Sequence, residues 1–297
     1  MEYQIYHRSR YTYNQPVYLR PQILRLRPRS DGGQTLRGFQ VRVFPTPQGQ
    51  APVIDLDGNS FERYWFDPPT LALEITVESQ VQTQIQNPFN LLLDPWALRL
   101  PFDYPQSLAR QLAPYLQPYG AYADPAAIEL AQEIADSADG EPLTFLTRLT
   151  QTLYENCAYE VRETGPPWEA GLTWKRRRGS CRDLTVLFLE VCRAANLASR
   201  FVSGYEEGDQ SSGAWELHAW AEVYLPGAGW RGFDPTHGLA VADRHIAVAA
   251  GARPESCAPI VGQVTPVAPF VQTQTALETR LETEVRVTSR PELRESP

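Results

Sequence analysis

Leu71, Leu73, Ile75, Val77, Val81 and Ile85 alternate with polar residues through residues 71–85, and this long period-two run restricts the fold more than any other feature of the chain. A strand that turns one apolar and one polar face outward needs an antiparallel sheet or sandwich, dry on one side and wet on the other. The same period runs from Tyr3, Ile5 and His7 to Tyr13, and again through Val17 and Leu19, Leu24 and Leu26, and Phe39, Val41 and Val43. Asp57-Gly58-Asn59 is a turn signal between two extended stretches. An antiparallel, β-sandwich-like domain is therefore expected over residues 1–88.

The period then changes. Residues 89–123 are rich in Pro, Tyr and Leu and read as a packed connector. Asp124-Pro125 is a helix start, an N-cap followed by Pro at the first helical position. Ala127, Ile128, Ala131 and Ile134 give that helix an apolar face, and Gly140 ends it. Phe145, Leu146, Leu149, Leu153 and Cys157 mark a second helix. Leu184, Leu187, Phe188, Val191, Cys192 and Ala195 form the apolar stripe of a third, which starts after Gly179. Strand patterns return at 200–205, 216–225 and 230–234, and a last alternating run goes from Leu277 to Val287. The whole is α+β, with a second domain over residues 89–290 that includes the connector, and a frayed tail at 291–297.

Charge and composition exclude some functions. With 27 basic and 35 acidic side chains the net charge is −8, which argues against a broad nucleic-acid surface. No apolar run is long enough to span a bilayer and the first residues have no signal-peptide core, so no membrane partner and a cytoplasmic location are expected. The 26 prolines imply long loops and interrupted strands. Cys157, Cys181, Cys192 and Cys257 show no CxxC pair or dense pattern, so reduced thiols are expected.

Cys181 is the candidate nucleophile. Ser180 and Asp183 have the spacing of a capping box, which puts Cys181 in the first helical turn. There the unpaired amides and the helix dipole favour a thiolate, and the same amides can serve an oxyanion hole. Cys192 lies on the apolar stripe, a packing position. A thiolate needs a base that works near neutral pH, and only His7, His218, His237 and His245 are available. His218 stands in the alternating strand that leads to Pro226, and the chain returns from that turn to Asp234. Each of the two is eight positions from Pro226, so a hairpin brings them close, and the carboxylate can hold the imidazole tautomer. A lone Cys at a helix start is often inert and a lone His in a strand is often structural. The residues alone leave both readings open.

A resemblance adds to them. The segments at 179–183, 200–205, 217–223 and 232–236 (GSCRD, RFVSGY, LHAWAEV, GFDPT) resemble, in that order, the bacterial transglutaminase-like superfamily, whose fold is distantly shared with papain. Tyr3-Gln4-Ile5-Tyr6-His7, Tyr11-Thr12-Tyr13 and Leu26-Arg27-Pro28-Arg29-Ser30 look like the β domain that precedes the core in a microbial branch. The resemblance implies a triad of Cys181, His218 and Asp234, on a core in which the nucleophile helix packs against an antiparallel sheet. It implies acyl transfer at peptide or glutamine-type amides through a thioester, with no cofactor. Hydrolysis, as a cysteine protease or amidase, is the leading expectation. A transglutaminase using an amine acceptor, a non-catalytic peptide-binding protein and an amidase associated with peptide-forming enzymes are the alternatives. Many microbial members carry glutamine directly after the nucleophile, where this chain has Arg182.

Around the triad, Trp168, Trp174, Arg182, Trp220 and His237 are candidates to line the cleft for a peptide, protein or small amide substrate. The run Lys175–Arg178, just before the nucleophile, is a solvated face or an attraction for an acidic substrate. His245 and His7 read as structural. No HExxH or Cys/His cluster is present, so no metal is expected.

Overall fold

The computed structural model describes residues 1–162, 164–207, 217–267 and 276–290. Its first part contains β1 (Glu2–Leu19), β2 (Gln22–Leu24), β3 (Gln34–Phe44), β4 (Gly49–Ile54), β5 (Ser60–Trp65) and β6 (Thr70–Thr83). Three helices follow: α1 (Gln106–Leu116), α2 (Pro125–Ser137) and α3 (Pro142–Asn156). The short strands β7 (Ala158–Tyr159) and β8 (Arg178–Gly179) flank α4 (Ala170–Arg176), and α5 (Cys181–Ala194) comes directly after. Then come β9 (Ser199–Glu206), β10 (Leu217–Leu225), β11 (Gly229–Asp234), β12 (Leu239–Ala240) and β13 (His245–Gly251). The chain closes with β14 (Ile260–Val261), β15 (Val264–Pro266) and β16 (Thr279–Arg290).

Alternation in the sequence becomes alternation in burial. In β6, Leu73, Ile75, Val77 and Val81 are buried, and they pack with Tyr13, Val17, Leu24 and Tyr64 or with Tyr3 and Ile5. β1 pairs antiparallel with β6 on one side and with β15 and β16 on the other, and β3 closes the far edge of that sheet. A second sheet has the order β14-β2-β5-β4. The chain is α+β, as expected, with antiparallel N-terminal sheets.

Pairing does not respect a division at residue 88. The last strand, β16, runs beside β1 from Glu2↔Arg290 to Tyr13↔Thr279, and β14 and β15 also join the N-terminal sheets. Alternation fixes which face of a strand is buried but not which strand it meets, so the return of the chain end to its beginning is invisible in the pattern. The expected tail at 291–297 lies outside the described residues, as does Glu216 at the start of the expected strand. Two helices also replace expected irregular chain. The connector contains α1, whose Pro114 and preceding Pro105 disguise it, and Trp174 lies in α4, to which the sequence pattern assigns no element.

The core sheet has the order β12-β11-β10-β9-β13, all antiparallel, and α5 packs on one face of it. Leu187, Phe188 and Val191 of α5 are fully buried among Ala219, Ala221, Val223 and Phe233. Each such side chain contributes about 1.5–3 kcal/mol by leaving water, so the helix that begins at Cys181 is firmly mounted. Asp124 caps α2, accepting from Ala126 N at 2.9 Å.

Two amide side chains of the N-terminal part close the open edge of the core sheet at β13. Gln34 donates from Nε2 to Ala247 O at 2.8 Å and accepts from Ala247 N at 2.7 Å. Asn59 repeats the arrangement at Ala250, with distances of 2.7 and 2.9 Å. Each amide presents one donor and one acceptor, as another strand would, and leaves the edge no free valence there.

Candidate active site

Cys181 is the first residue of α5 and 9 % exposed. Its position is set by Asp183, which is fully buried. Asp183 Oδ2 accepts from Ser180 N and Ser180 Oγ, both at 2.8 Å, and Oδ1 accepts from Trp168 N at 2.7 Å and from the Arg162 guanidinium. Burial pushes this carboxyl up, but the Arg162, Trp168 and Ser180 hydrogen bonds outweigh it and hold the group below its ordinary value. Gly179 leaves room for the carboxylate, since a Cβ there would stand 2.8 Å from Asp183 Cβ. β7 and β8, paired in parallel, hold the preceding segment, with Glu160 N donating to Gly179 O at 2.9 Å.

His218 is the second residue of β10, and Asp234 is the last of β11. The hairpin pairs Leu225 with Gly229 and Ala221 with Phe233, so its centre is Gly227 and not Pro226. The expected direct pairing is thus offset, and His218 reaches Asp234 diagonally on the same face. His218 Nε2 donates to Asp234 Oδ2 at 2.7 Å, which leaves Nδ1 free to face Cys181, a direct neighbour of the imidazole. Burial would lower the imidazole, but the Asp234 charge and hydrogen bond, together with Cys181, hold it well above its ordinary value. Asp234 is fully buried, yet His218 and His245 keep it well below the carboxylate range.

Comparisons with known proteins give the family of the chain. Residues 3–82 match the bacterial transglutaminase-like N-terminal region, and residues 128–235 match the transglutaminase-like superfamily. The chain belongs to that superfamily. An uncharacterized protein of Mycobacterium tuberculosis is 27 % identical over 266 residues, 84 % of this chain and 83 % of that one. A protein-glutamine gamma-glutamyltransferase of Pseudomonas aeruginosa is 27 % identical over 192 residues, which span 58 % of this chain and 29 % of that one. A crystal structure of a proposed cysteine protease from Cytophaga hutchinsonii shares the fold, with a TM-score of 0.70, 19 % identity, and coverage of 98 % of this chain and 92 % of that one.

The other expected residues of this superfamily member fall in different places. Trp220 is 1 % exposed, so it is an internal wall and not a cleft surface. Its ring lies between His218, 6.2 Å away and stacked, and His245, 5.1 Å away and edge-on. Gly204 permits this, because a Cβ there would meet Ile246 O at 2.1 Å and the Trp220 ring at 2.6 Å. Arg182 braces the segment before α4, donating to Gly165 O at 3.1 Å and Arg162 O at 2.7 Å. Trp168 is half-buried between the guanidiniums of Arg162 and Arg176, 4.2 and 4.5 Å from its ring centre. Trp174 packs on the core under Arg177, whose guanidinium is 3.4 Å from the ring centre. Of the basic run, Arg178 pairs with Glu160 at 3.5 Å. His7 sits in β1, fully buried against Tyr205 and Ser9.

His237 does reach the site. Its side chain is 43 % exposed, its ring centre is 5.2 Å from that of His218, and its Nε2 is 2.7 Å from Glu206 Oε2. That hydrogen bond raises the imidazole above its ordinary value, against the effect of burial.

Two further residues reach this site: His245, which the sequence reads as structural, and Glu206, which no local pattern marks. His245 Nε2 donates to Asp234 Oδ2 at 3.0 Å, so one carboxylate oxygen serves two imidazoles. Glu206 Oε2 lies 3.7 Å from His218 Nε2. The two are cross-strand partners of β9 and β13, a pairing between strands far apart in the chain. Asp234 Oδ1 is occupied as well, accepting from Thr236 N at 2.8 Å and His237 N at 3.4 Å.

Proposed function

We propose that the protein carries out cysteine-dependent acyl transfer at amides, with Cys181 as nucleophile, His218 as base and acid, and Asp234 as the group that orients His218. The observation that carries this reading is the His218 imidazole set between Cys181, which acts on it directly, and the buried Asp234, to which it is hydrogen-bonded. The Cys181 sulfur attacks a peptide or glutamine-type carbonyl carbon, and amides of the first turn of α5 stabilise the oxyanion. His218 gives its proton to the leaving nitrogen as the C–N bond breaks, which leaves a thioester. His218 then takes a proton from water as the water oxygen bonds to the acyl carbon, and the Cys181 sulfur departs. Asp234 keeps the Nε2 proton of His218 in place, so that Nδ1 faces the reacting atoms.

Hydrolysis is the preferred outcome, because water is always present as acceptor. The relationship to the Pseudomonas gamma-glutamyltransferase favours a second reading, transfer to an amine. One experiment separates them. A glutamine-containing peptide is incubated with the protein and a saturating primary amine, and released ammonia is compared with incorporated amine. Hydrolysis predicts ammonia in clear excess, whereas equal amounts mean transfer. Mass spectrometry of the quenched protein tests the shared step: an acyl adduct on Cys181 is expected, and its absence during turnover refutes the thioester.

A further inference from the structure

Three neighbouring strands of the core sheet bring their ends to the same place: Glu206 ends β9, His218 lies at the start of β10 and Asp234 ends β11. His237 follows three residues after Asp234 and turns back over the group. One ligand atom from each of Glu206, His218, Asp234 and His237 lies within 4.8 Å of the others. The triad uses two of these residues and leaves Glu206 and His237 without a task, although the Glu206 side chain is only 13 % exposed.

We propose that these four residues form a site for a single divalent transition-metal ion of the zinc class, and that the ion holds the enzyme inactive. Imidazole nitrogen with carboxylate oxygen is a donor set for zinc, whereas calcium and magnesium take oxygen alone. Tetrahedral coordination at about 2.0–2.2 Å sets donors about 3.3–3.6 Å apart. His218 Nε2 is 2.7 Å from Asp234 Oδ2 and 3.7 Å from Glu206 Oε2, and His237 Nε2 is 2.7 Å from Glu206 Oε2, so small side-chain rotations meet that requirement. Two carboxylates and two neutral imidazoles leave a divalent ion with no net charge, which lowers the cost of burying it. The outer supports are in place: Thr236 N and His237 N hold Asp234 Oδ1, and His245 holds Oδ2. His237, 43 % exposed, gives the ion a path from solvent.

Binding displaces the Nε2 proton of each imidazole to solvent and replaces the His218–Asp234 hydrogen bond by two bonds to the metal. A His218 held by metal at Nε2 no longer cycles a proton for Cys181. The inactivation rests on the proposed catalytic role of His218, but the binding itself does not.

The test uses the full chain carrying C181A, which removes the thiol as a competing ligand, and zinc alone as the probe, measured by competition with a chelator of known affinity. One ion per chain is expected, together with proton release. Affinity in C181A/E206Q and C181A/H237A falls by at least about ten-fold. Binding that is absent in C181A, or equally tight in all three proteins, overturns the site. In the protein with Cys181 intact, zinc stops amide turnover, a chelator restores it, and E206Q needs at least about ten-fold more zinc for the same fractional inhibition. Inhibition that E206Q does not shift overturns the regulatory role. If the protein turns over no amide at all, the C181A arm still decides the metal site, so the two readings fail separately.

Discussion

Asp183 shows how one side chain sets the geometry of a nucleophile that it does not touch through its own carboxylate. Its four hydrogen bonds join the helix cap, the segment before α4 and Arg162, with no exposure to solvent. Asn at this position removes the charge opposite Arg162 and one of the acceptor oxygens. Breaking a buried pair by neutralising one partner costs about 3–5 kcal/mol. D183N is therefore expected to lower the unfolding free energy in urea titration by an amount of that order, shifting the midpoint down accordingly, and to slow any reaction at Cys181. An unchanged midpoint would mean that the cap, and not the carboxylate, holds the segment. The capping role of Asp183 is legible from its spacing to Ser180, but its contacts with Arg162 and Trp168 are not, because they come from residues 21 and 15 positions earlier in the chain.

At the scale of elements, β13 shows where legibility ends. Its residues are buried throughout, so nothing in their pattern marks β13 as an edge strand. Only the fold reveals that Gln34 and Asn59, from distant parts of the chain, complete its hydrogen bonds. Truncating Asn59 leaves both the donor and the acceptor of Ala250 unpaired, whereas truncating Gln34 leaves Ala247 N unpaired while Ala247 O keeps its bond from Arg29 N, at about 1–3 kcal/mol for each group left without water. Q34A and N59A are each expected to destabilise the protein by roughly that amount in denaturant titration, and hydrogen exchange at Ala247 or Ala250 should quicken in the matching variant. Exchange unchanged at both positions would refute the account of the edge. The triad hairpin is the opposite case. β10 and β11 are adjacent in sequence, so His218 and Asp234 could be brought together from spacing alone, with an error of one residue at the turn. Glu206 and His245 come from β9 and β13, and no local pattern says that these strands pair.

The whole molecule is tied together at its ends. β16 returns to β1, and His7 of β1 reaches Tyr205 of β9, one residue before Glu206. His7 is fully buried, with Nδ1 2.9 Å from the Tyr205 hydroxyl and Nε2 2.9 Å from Ser9 Oγ. Burial lowers its pKa from 6.5 to about 4, so the folded protein keeps it neutral. Between these values the unfolded chain binds the proton and the folded chain does not, so stability is complete above about 6.5 and falls as the pH drops toward about 4. The loss from this one group is about 3 kcal/mol. Urea titrations from pH 7 to pH 4 are expected to show that slope, and H7Q should flatten it. An identical slope in H7Q would remove His7 from the account.

The central claim is the pair formed by Cys181 and His218, and alkylation tests it without any knowledge of the substrate. The protein and H218A are treated with iodoacetamide at about pH 6.5, and each cysteine is followed by mass spectrometry. Burial pushes the thiols of Cys157, Cys192 and Cys257 up, so they serve as slow internal references. The account predicts that Cys181 reacts well ahead of all three in the native protein and loses that lead in H218A. Equal rates at Cys181 in the two proteins would contradict the pair, and with it the proposed chemistry.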